Sequence, residues 1–163
     1  MVSATSLQAQ MDQKVREIKE AVSGISDEQA SRRPAPGEWC VKEVLSHLSG
    51  RETASFRDGL NIFLEQDTPE MDLTPGDPYY SPQREKLSLS ELLSKVEEQY
   101  SGIGKFLAGL TEEQLARKAH IAFLKETPLG EYPTLAQWAG ALINFHVPDH
   151  INQIRNARKS LGA

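Results

Sequence analysis

Apolar residues recur every three or four positions along most of the chain, which is the spacing of a helix that buries one face. The pattern predicts four long helices, at residues 7–25, about 41–64, about 89–107 and about 135–157. The expected fold class is therefore all-α. The residues predicted to face inward are Leu7, Met11, Val15, Ile18, Val22 and Ile25 in the first helix, Val41, Val44, Leu45, Leu48, Phe56, Leu60 and Phe63 in the second, Leu92, Leu93, Val96, Tyr100, Ile103 and Phe106 in the third, and Leu135, Trp138, Leu142, Phe145 and Ile154 in the fourth.

Two short segments nearly match each other, SGISDEQASR at residues 23–32 and AGLTEEQLAR at residues 108–117. Each has a glycine, Gly24 or Gly109, that suits the left-handed end of the preceding helix. Each then has Ser or Thr followed three residues later by Gln, a capping box that starts a short helix. The two halves of the chain therefore look alike, and we interpret them as a structural pseudo-repeat, with a chance match of common caps as the alternative.

The two halves are joined by a proline-rich connection at residues 65–86. Its prolines remove helix donors and fix an extended path. The connection is longer than an antiparallel hairpin needs, so it could carry the chain back and let the second and third helices run parallel, as in bundles with a crossover. A second loop, at residues 120–133, is predicted to form a short hairpin over one end. The four prolines are Pro69, Pro75, Pro78 and Pro82.

Length and composition indicate an ordinary globular domain and exclude several partners. The 163 residues predict a single domain, 1–163. A net charge of −5 argues against a nucleic-acid partner and weakly against anionic membranes, and no apolar stretch reaches the ~20 residues that span a bilayer. The N-terminus lacks the pattern of a secretory signal, and the single cysteine, Cys40, cannot form an internal disulfide. A cytoplasmic location is the simplest expectation.

Candidate chemistry lies with the histidines. His146 and His150 are four residues apart on the fourth helix, which places their side chains on one face, with Cβ atoms ~5–6 Å apart. The row through Leu135 and Leu142 is apolar, so the pair is predicted to point inward and to share a metal ion. A third ligand must come from elsewhere: His47 lies beside the apolar stripe of the second helix, and His120, in a predicted loop, is the poorer candidate.

The alternative for each of these residues is a structural role. A His-x-x-x-His spacing arises often by chance, and a histidine near an apolar face is usually a packing residue. The metalloprotease motif is absent because no glutamate follows His146. Glu43, one turn before His47, and Asp149, beside His150, are candidates to orient a ligand histidine or act as a base, with solvated surface carboxylates as the more ordinary interpretation.

Four other residues are weaker candidates for chemical roles. Cys40 is ~10 Å along the helix from His47, so a Cys–His nucleophile pair is disfavoured. Trp39 and Trp138 are predicted to anchor the ends of the core, or else to form a wall of a substrate pocket. Gln153 is expected to pack or to form hydrogen bonds between helices.

Three motifs resemble those of one family. GEWCVKEVLSHL at residues 37–48 is similar to the opening of the second helix in the DinB-like (YfiT-type) superfamily. FHVPDHINQIR at residues 145–155 is similar to that family's fourth-helix signature, and ISDEQASRRPAP at residues 25–36 resembles its usual lead-in. The motifs stand in the expected order and cover most of the chain.

The resemblance implies a four-helix bundle with an up-down-down-up course and a long crossover between helices 2 and 3. It also implies a metal triad of His47, His146 and His150 that holds nickel, zinc or another divalent ion, and a homodimer. Characterised relatives include thiol S-transferases and isomerases that activate a low-molecular-weight thiol, and others are described as metal-dependent hydrolases. Some members have lost the metal.

Two functions are therefore carried forward. The first is a metal-dependent hydrolase or thiol S-transferase that acts on a small electrophilic substrate through a metal-activated water or thiol. The alternative is a non-catalytic dimeric bundle, a binding or stress-response module whose histidine cluster is vestigial or structural.

One departure from the family pattern is Pro148, inside the His-x-x-x-His segment. It should remove the hydrogen bond to the Asn144 carbonyl and crowd that turn. We expect a bent but continuous helix, because the periodicity resumes at Gln153 and Ile154.

Overall fold

The computed structural model describes residues 3–73 and 76–162. Those residues form helices and connecting loops without a β-strand, as the sequence predicts. None of the helices in these two ranges is long and apolar enough to cross a membrane. The helices are α1 Ala4–Val22, α2 Asp27–Ser31, α3 Val41–Leu48, α4 Phe56–Glu65, α5 Pro82–Glu85, α6 Leu89–Ala108, α7 Glu112–Leu115, α8 Leu135–Ala141 and α9 Val147–Leu161, with a 3₁₀ turn at Ala122–Leu124 and a π-helical turn at Leu142–His146 between α8 and α9.

Four long units form the bundle: α1, α3 with α4, α6, and α8 with α9. They follow an up-down-down-up course, and the connection between α4 and α6 is the long crossover that the prolines predict. The α1 and α6 helices pack along their lengths, and Lys19 Nζ lies 2.9 Å from Glu97 Oε1 across their exposed edge. The α3 helix packs on both α6 and α9, which brings the second and fourth units together.

The predicted apolar stripes of the first three units form the core. Most of their residues are fully buried, including Met11, Ile18 and Tyr100. Each buried aliphatic or aromatic side chain contributes about 1.5–3 kcal/mol through removal of apolar surface from water. Val15, Leu93 and Phe106 are only partly buried and pack against the edge of the core.

The sequence predicts one continuous second helix, and this prediction is wrong: the helix breaks between α3 and α4. Gly50, with φ +77°, adopts the left-handed conformation that suits glycine and ends the first part. Ser55 then starts α4 with a capping box: its Oγ accepts from the Asp58 N–H at 3.2 Å, and Asp58 Oδ2 accepts from the Ser55 N–H at 2.8 Å. The S-x-x-D sequence at residues 55–58 indicates this helix start, but the apolar periodicity continues across it and predicts a single helix.

The fourth unit is continuous, as predicted, but it accommodates Pro148 with a π-helical turn. The Val147 N–H bonds to the Leu142 carbonyl five residues back, and Pro148, which has no N–H, then falls in the first turn of α9, where proline is tolerated. The wider turn shifts the buried face. Phe145, predicted to face inward, is 67% exposed, whereas Ile143 and Val147 are fully buried.

Both short helices of the pseudo-repeat are present. Ser26 with Gln29 and Thr111 with Gln114 form the two capping boxes. Gly24 is left-handed, with φ +80°, but Gly109 is not: its φ of −82° lies in the right-handed region, so the glycine prediction was wrong for the second half.

The loop at residues 120–133 forms a hairpin-like turn without strands. Lys118 and Thr134 form an isolated antiparallel bridge at its base, the Ala119 N–H bonds to the Pro133 carbonyl at 3.3 Å, and the Ile121 N–H bonds to the Glu131 carbonyl at 2.8 Å. The 3₁₀ turn at Ala122–Leu124 then interrupts the first arm.

Candidate metal centre

Three histidine rings from two units of the bundle meet near the crossover. His47 lies in the last turn of α3 and is buried. His146 closes the π-helical turn, and His150 lies one turn further on, in α9. Their ring centroids are 4.6 Å apart for His47 and His150, 4.7 Å for His146 and His150, and 5.1 Å for His47 and His146. One nitrogen from each ring lies within 4.8 Å of the others.

Hydrogen bonds fix the orientation of two of the rings. His47 Nδ1 lies 2.7 Å from the carbonyl oxygen of Asp77, in the crossover. His150 Nδ1 lies 2.9 Å from Gln153 Oε1. Because both partners are acceptors, each Nδ1 carries the proton, and each neutral ring leaves the lone pair of Nε2 free. This arrangement, with a protein acceptor on the outer nitrogen, is typical of histidines that bind metals.

Two nitrogens at the cluster have no hydrogen-bond partner among the residues that the structure describes. The Nε2 atoms of His47 and His146 are both buried, and neither makes a hydrogen bond. A buried polar atom without a partner costs about 1–3 kcal/mol. Imidazole nitrogens are zinc ligands at ~2.0–2.1 Å, so an ion bound between the rings would remove this penalty. The donor set fits a divalent metal ion.

The surroundings keep all three rings neutral. Burial, together with the neighbouring imidazoles of His150 and His47, lowers the pKa of His146 to about 3. Burial also lowers the pKa of His47 and of His150, the latter against the opposing effect of its Gln153 hydrogen bond. Since only the neutral ring offers a lone pair, the cluster is ready for metal at physiological pH.

Aromatic rings form the walls of the cluster. The Trp39 ring lies parallel to that of His150, with centroids 6.0 Å apart and an interplanar angle of 1°, and the Tyr79 ring stacks on His47 at 5.5 Å. Phe56 meets His146 edge-on at 6.2 Å. Trp39 therefore packs against the cluster as well as against the core, and Trp138 is likewise partly buried against the core.

The other candidate residues lie elsewhere. His120 lies outside the cluster: its Nδ1 is 2.6 Å from Glu70 Oε2, and its ring stacks on Tyr132 at 4.8 Å. Glu43 is buried rather than solvated, and its carboxylate accepts from the Cys40 N–H at 2.8 Å and from Arg33.

Asp149 is exposed, and its charge opposes the fall in the pKa of His150. Cys40 is buried at the start of α3, and burial raises the pKa of its thiol, which makes it a poor nucleophile.

Sequence reasoning missed two of the groups that orient the histidines. The sequence predicts for Gln153 only packing or hydrogen bonds between helices, although its spacing of three from His150 places the two side chains on one face of a helix. The Asp77 carbonyl carries no sequence signal, because a backbone oxygen in a loop can belong to any residue type.

The chain and its fold are similar to known proteins. The family model described as the DinB superfamily matches residues 10–154. Among solved structures, the chain is similar to YfiT from Bacillus subtilis, described as a probable metal-dependent hydrolase with an unusual four-helix bundle topology. The TM-score is 0.76 at 21% sequence identity, over 98% of this chain and 87% of that one. No curated protein sequence matched the chain.

Proposed function

The chain belongs to the DinB superfamily, and from that premise we propose that His47, His146 and His150 bind one divalent metal ion, such as zinc or nickel, and that the protein is a metal-dependent enzyme. The reaction is hydrolysis, or transfer of a low-molecular-weight thiol, on a small electrophilic substrate. The observation that carries the proposal is the pair of buried Nε2 atoms, on His47 and His146, that have no hydrogen-bond partner.

A divalent ion held by three histidines lowers the pKa of a water or thiol and so supplies a nucleophile near neutral pH. The protein's own groups orient the histidine rings and enclose them. The Asp77 carbonyl and Gln153 hold two rings in the tautomer that presents Nε2. Trp39, Tyr79 and Phe56 surround the rings with apolar surface, which limits water at the cluster and strengthens the electrostatic interactions within it.

The proposal is tested by metal content. The protein is purified without a histidine tag, dialysed against zinc or nickel, and measured by elemental analysis. We expect about one equivalent in the parent and in His120→Ala, which removes a histidine outside the cluster, and loss of stoichiometric metal in His146→Ala. If His146→Ala retains one equivalent as tightly as the parent, the assignment is wrong.

The second candidate is a non-catalytic bundle with a vestigial or structural histidine cluster. It is favoured if the parent holds no metal after dialysis. Buried water, rather than a metal ion, would then be the partner of the two buried histidine nitrogens. A homodimer and a cytoplasmic location remain predictions for either candidate. Sedimentation at several protein concentrations tests the first of them.

A further inference from the structure

A second concave surface lies next to the histidine cluster, and we call it the Arg84 groove. It is formed by residues from 49 to 57, which run from the end of α3 into the first turn of α4, and by residues of α5 and α6, and it has a volume of about 660 Å³. Small-molecule sites have volumes of about 300–1,000 Å³. The three histidines do not line the groove, but it begins at Ser49, two residues after His47.

The groove is positively charged on a chain whose net charge is −5. Four cationic side chains line it against two acidic ones, an excess of two positive charges. Such a local reversal of sign attracts anions and raises their concentration at the surface. The six charged residues are Arg51, Arg57, Arg84, Lys95, Glu52 and Glu98.

Arg84 is the buried member of this group, with only 5% of its surface exposed. Its Nη1 donates to the Ser46 carbonyl at 2.7 Å and contacts Ser46 Oγ at 3.1 Å. Its Nε makes no hydrogen bond, and Glu52 Oε1 lies 3.5 Å away, at ion-pair distance. Gln99 also lines the groove, and its buried Nε2 has no partner. Among the described residues, the Gln99 amide is thus a buried donor without an acceptor, and Arg84 Nε has an ion-pair partner but no hydrogen bond, so an acceptor bound in the groove would satisfy both groups.

Direct contacts connect the groove to the histidine cluster. The guanidinium of Arg51 lies 5.3 Å from the centre of the Tyr79 ring, and the same ring stacks on His47, with centroids 5.5 Å apart. Ser46, which binds Arg84, donates its hydroxyl to the Tyr79 carbonyl at 2.9 Å. A small molecule that extends from the histidines past Tyr79 would therefore place its far end among these cations.

We propose that the Arg84 groove binds the carboxylate or phosphate group of the small molecule that reacts at the histidine cluster, so that the substrate or thiol is an anion. That one end of the molecule reacts at the histidine cluster rests on the proposed function. That its other end carries a negative charge rests on the groove alone. Arginine favours such oxyanions because its planar fork donates two parallel hydrogen bonds.

The test is isothermal titration of the full chain with inorganic phosphate and, separately, with succinate. We expect saturable binding of at least one anion, and weakening by about fivefold in Lys95→Glu and in Arg57→Glu, the upper range for an exposed ion pair. Lys125→Glu is the matched control, since Lys125 is exposed, makes no side-chain contact in the groove and changes the net charge equally. It should bind like the parent. A preference for phosphate or succinate identifies the class of anion.

Three results would overturn the proposal: neither anion binds saturably, Lys125→Glu weakens binding as much as the groove variants do, or His146→Ala abolishes binding that Lys95→Glu retains. The last would place the anion on the histidines. Metal content and anion affinity separate the two proposals. A parent that holds no metal refutes the proposed function whatever the titration shows, whereas a parent with metal and no anion site refutes only the groove.

Discussion

Acidification should destabilise the metal-free protein through the histidine cluster. The pKa of a histidine in the unfolded chain is about 6.5, and the pKa of buried His146 is lowered to about 3. As the pH falls below 6.5, the unfolded chain therefore takes up a proton that the native state refuses. By the linkage relation, the free energy of unfolding decreases as the pH is lowered wherever the unfolded state binds more protons than the native state.

The magnitude follows from those two pKa values. Between pH 7 and about pH 5.5, the difference in proton uptake at His146 lowers the free energy of unfolding by about 1.3 kcal/mol. His47 and His150, whose pKa values are also lowered by burial, add to the loss in the same direction. The carboxyl groups with lowered pKa, such as those of Glu17 and Asp27, lose their contribution only at lower pH.

The assay is urea unfolding followed by circular dichroism, with a chelator present, at pH 7 and pH 5.5, for the parent and for His146→Gln. The variant lacks the titrating ring, so its loss of stability between the two pH values should be smaller by about 1.3 kcal/mol. Equal losses in the two proteins would refute the reasoning, because His146 would then be titrating alike in the folded and unfolded states.

Two further predictions concern single side chains. Gln153→Leu should lower metal affinity by about 10- to 100-fold, because it removes the acceptor that orients His150. Asn152→Leu, at the neighbouring exposed position, is the control and should leave the affinity unchanged. Competition with a metal-binding dye measures both variants, and equal affinities would contradict the role of Gln153. Tyr100→Phe should raise the free energy of unfolding by about 1 kcal/mol, because the fully buried hydroxyl has no hydrogen-bond partner; destabilisation in urea unfolding would show that a buried water satisfies the hydroxyl.

The long helices were predictable because their apolar residues repeat with a helical period and because packing follows that period. The convergence of His146 and His150 was predictable for the same reason, since residues four apart share a face. His47 required more, because no local rule says which part of one helix meets another, and the resemblance of the segment at residues 37–48 supplied that information.

The features that were missed depend on interactions outside a single period. Gly50 and the capping box of Ser55 and Asp58 both indicate a break in the second helix. The apolar stripe continues past them and led to the prediction of one long helix. The exposure of Phe145 depends on a π-helical turn, which propensity alone does not predict. The contact between His47 and the Asp77 carbonyl depends on the path of the crossover, which has no apolar pattern to fix it.

The π-helical turn allows the fourth unit to serve two requirements at once. A regular helix advances about 100° per residue, so the direction of every side chain is tied to that of every other. One wider turn resets this angular phase: α8 is oriented by its packing against the core, and α9 by the aim of His150. If the same residues formed a regular α-helix, α9 would be rotated by about 100° relative to α8, and the core-facing row of α8 and the histidines of the cluster could not both keep their present directions.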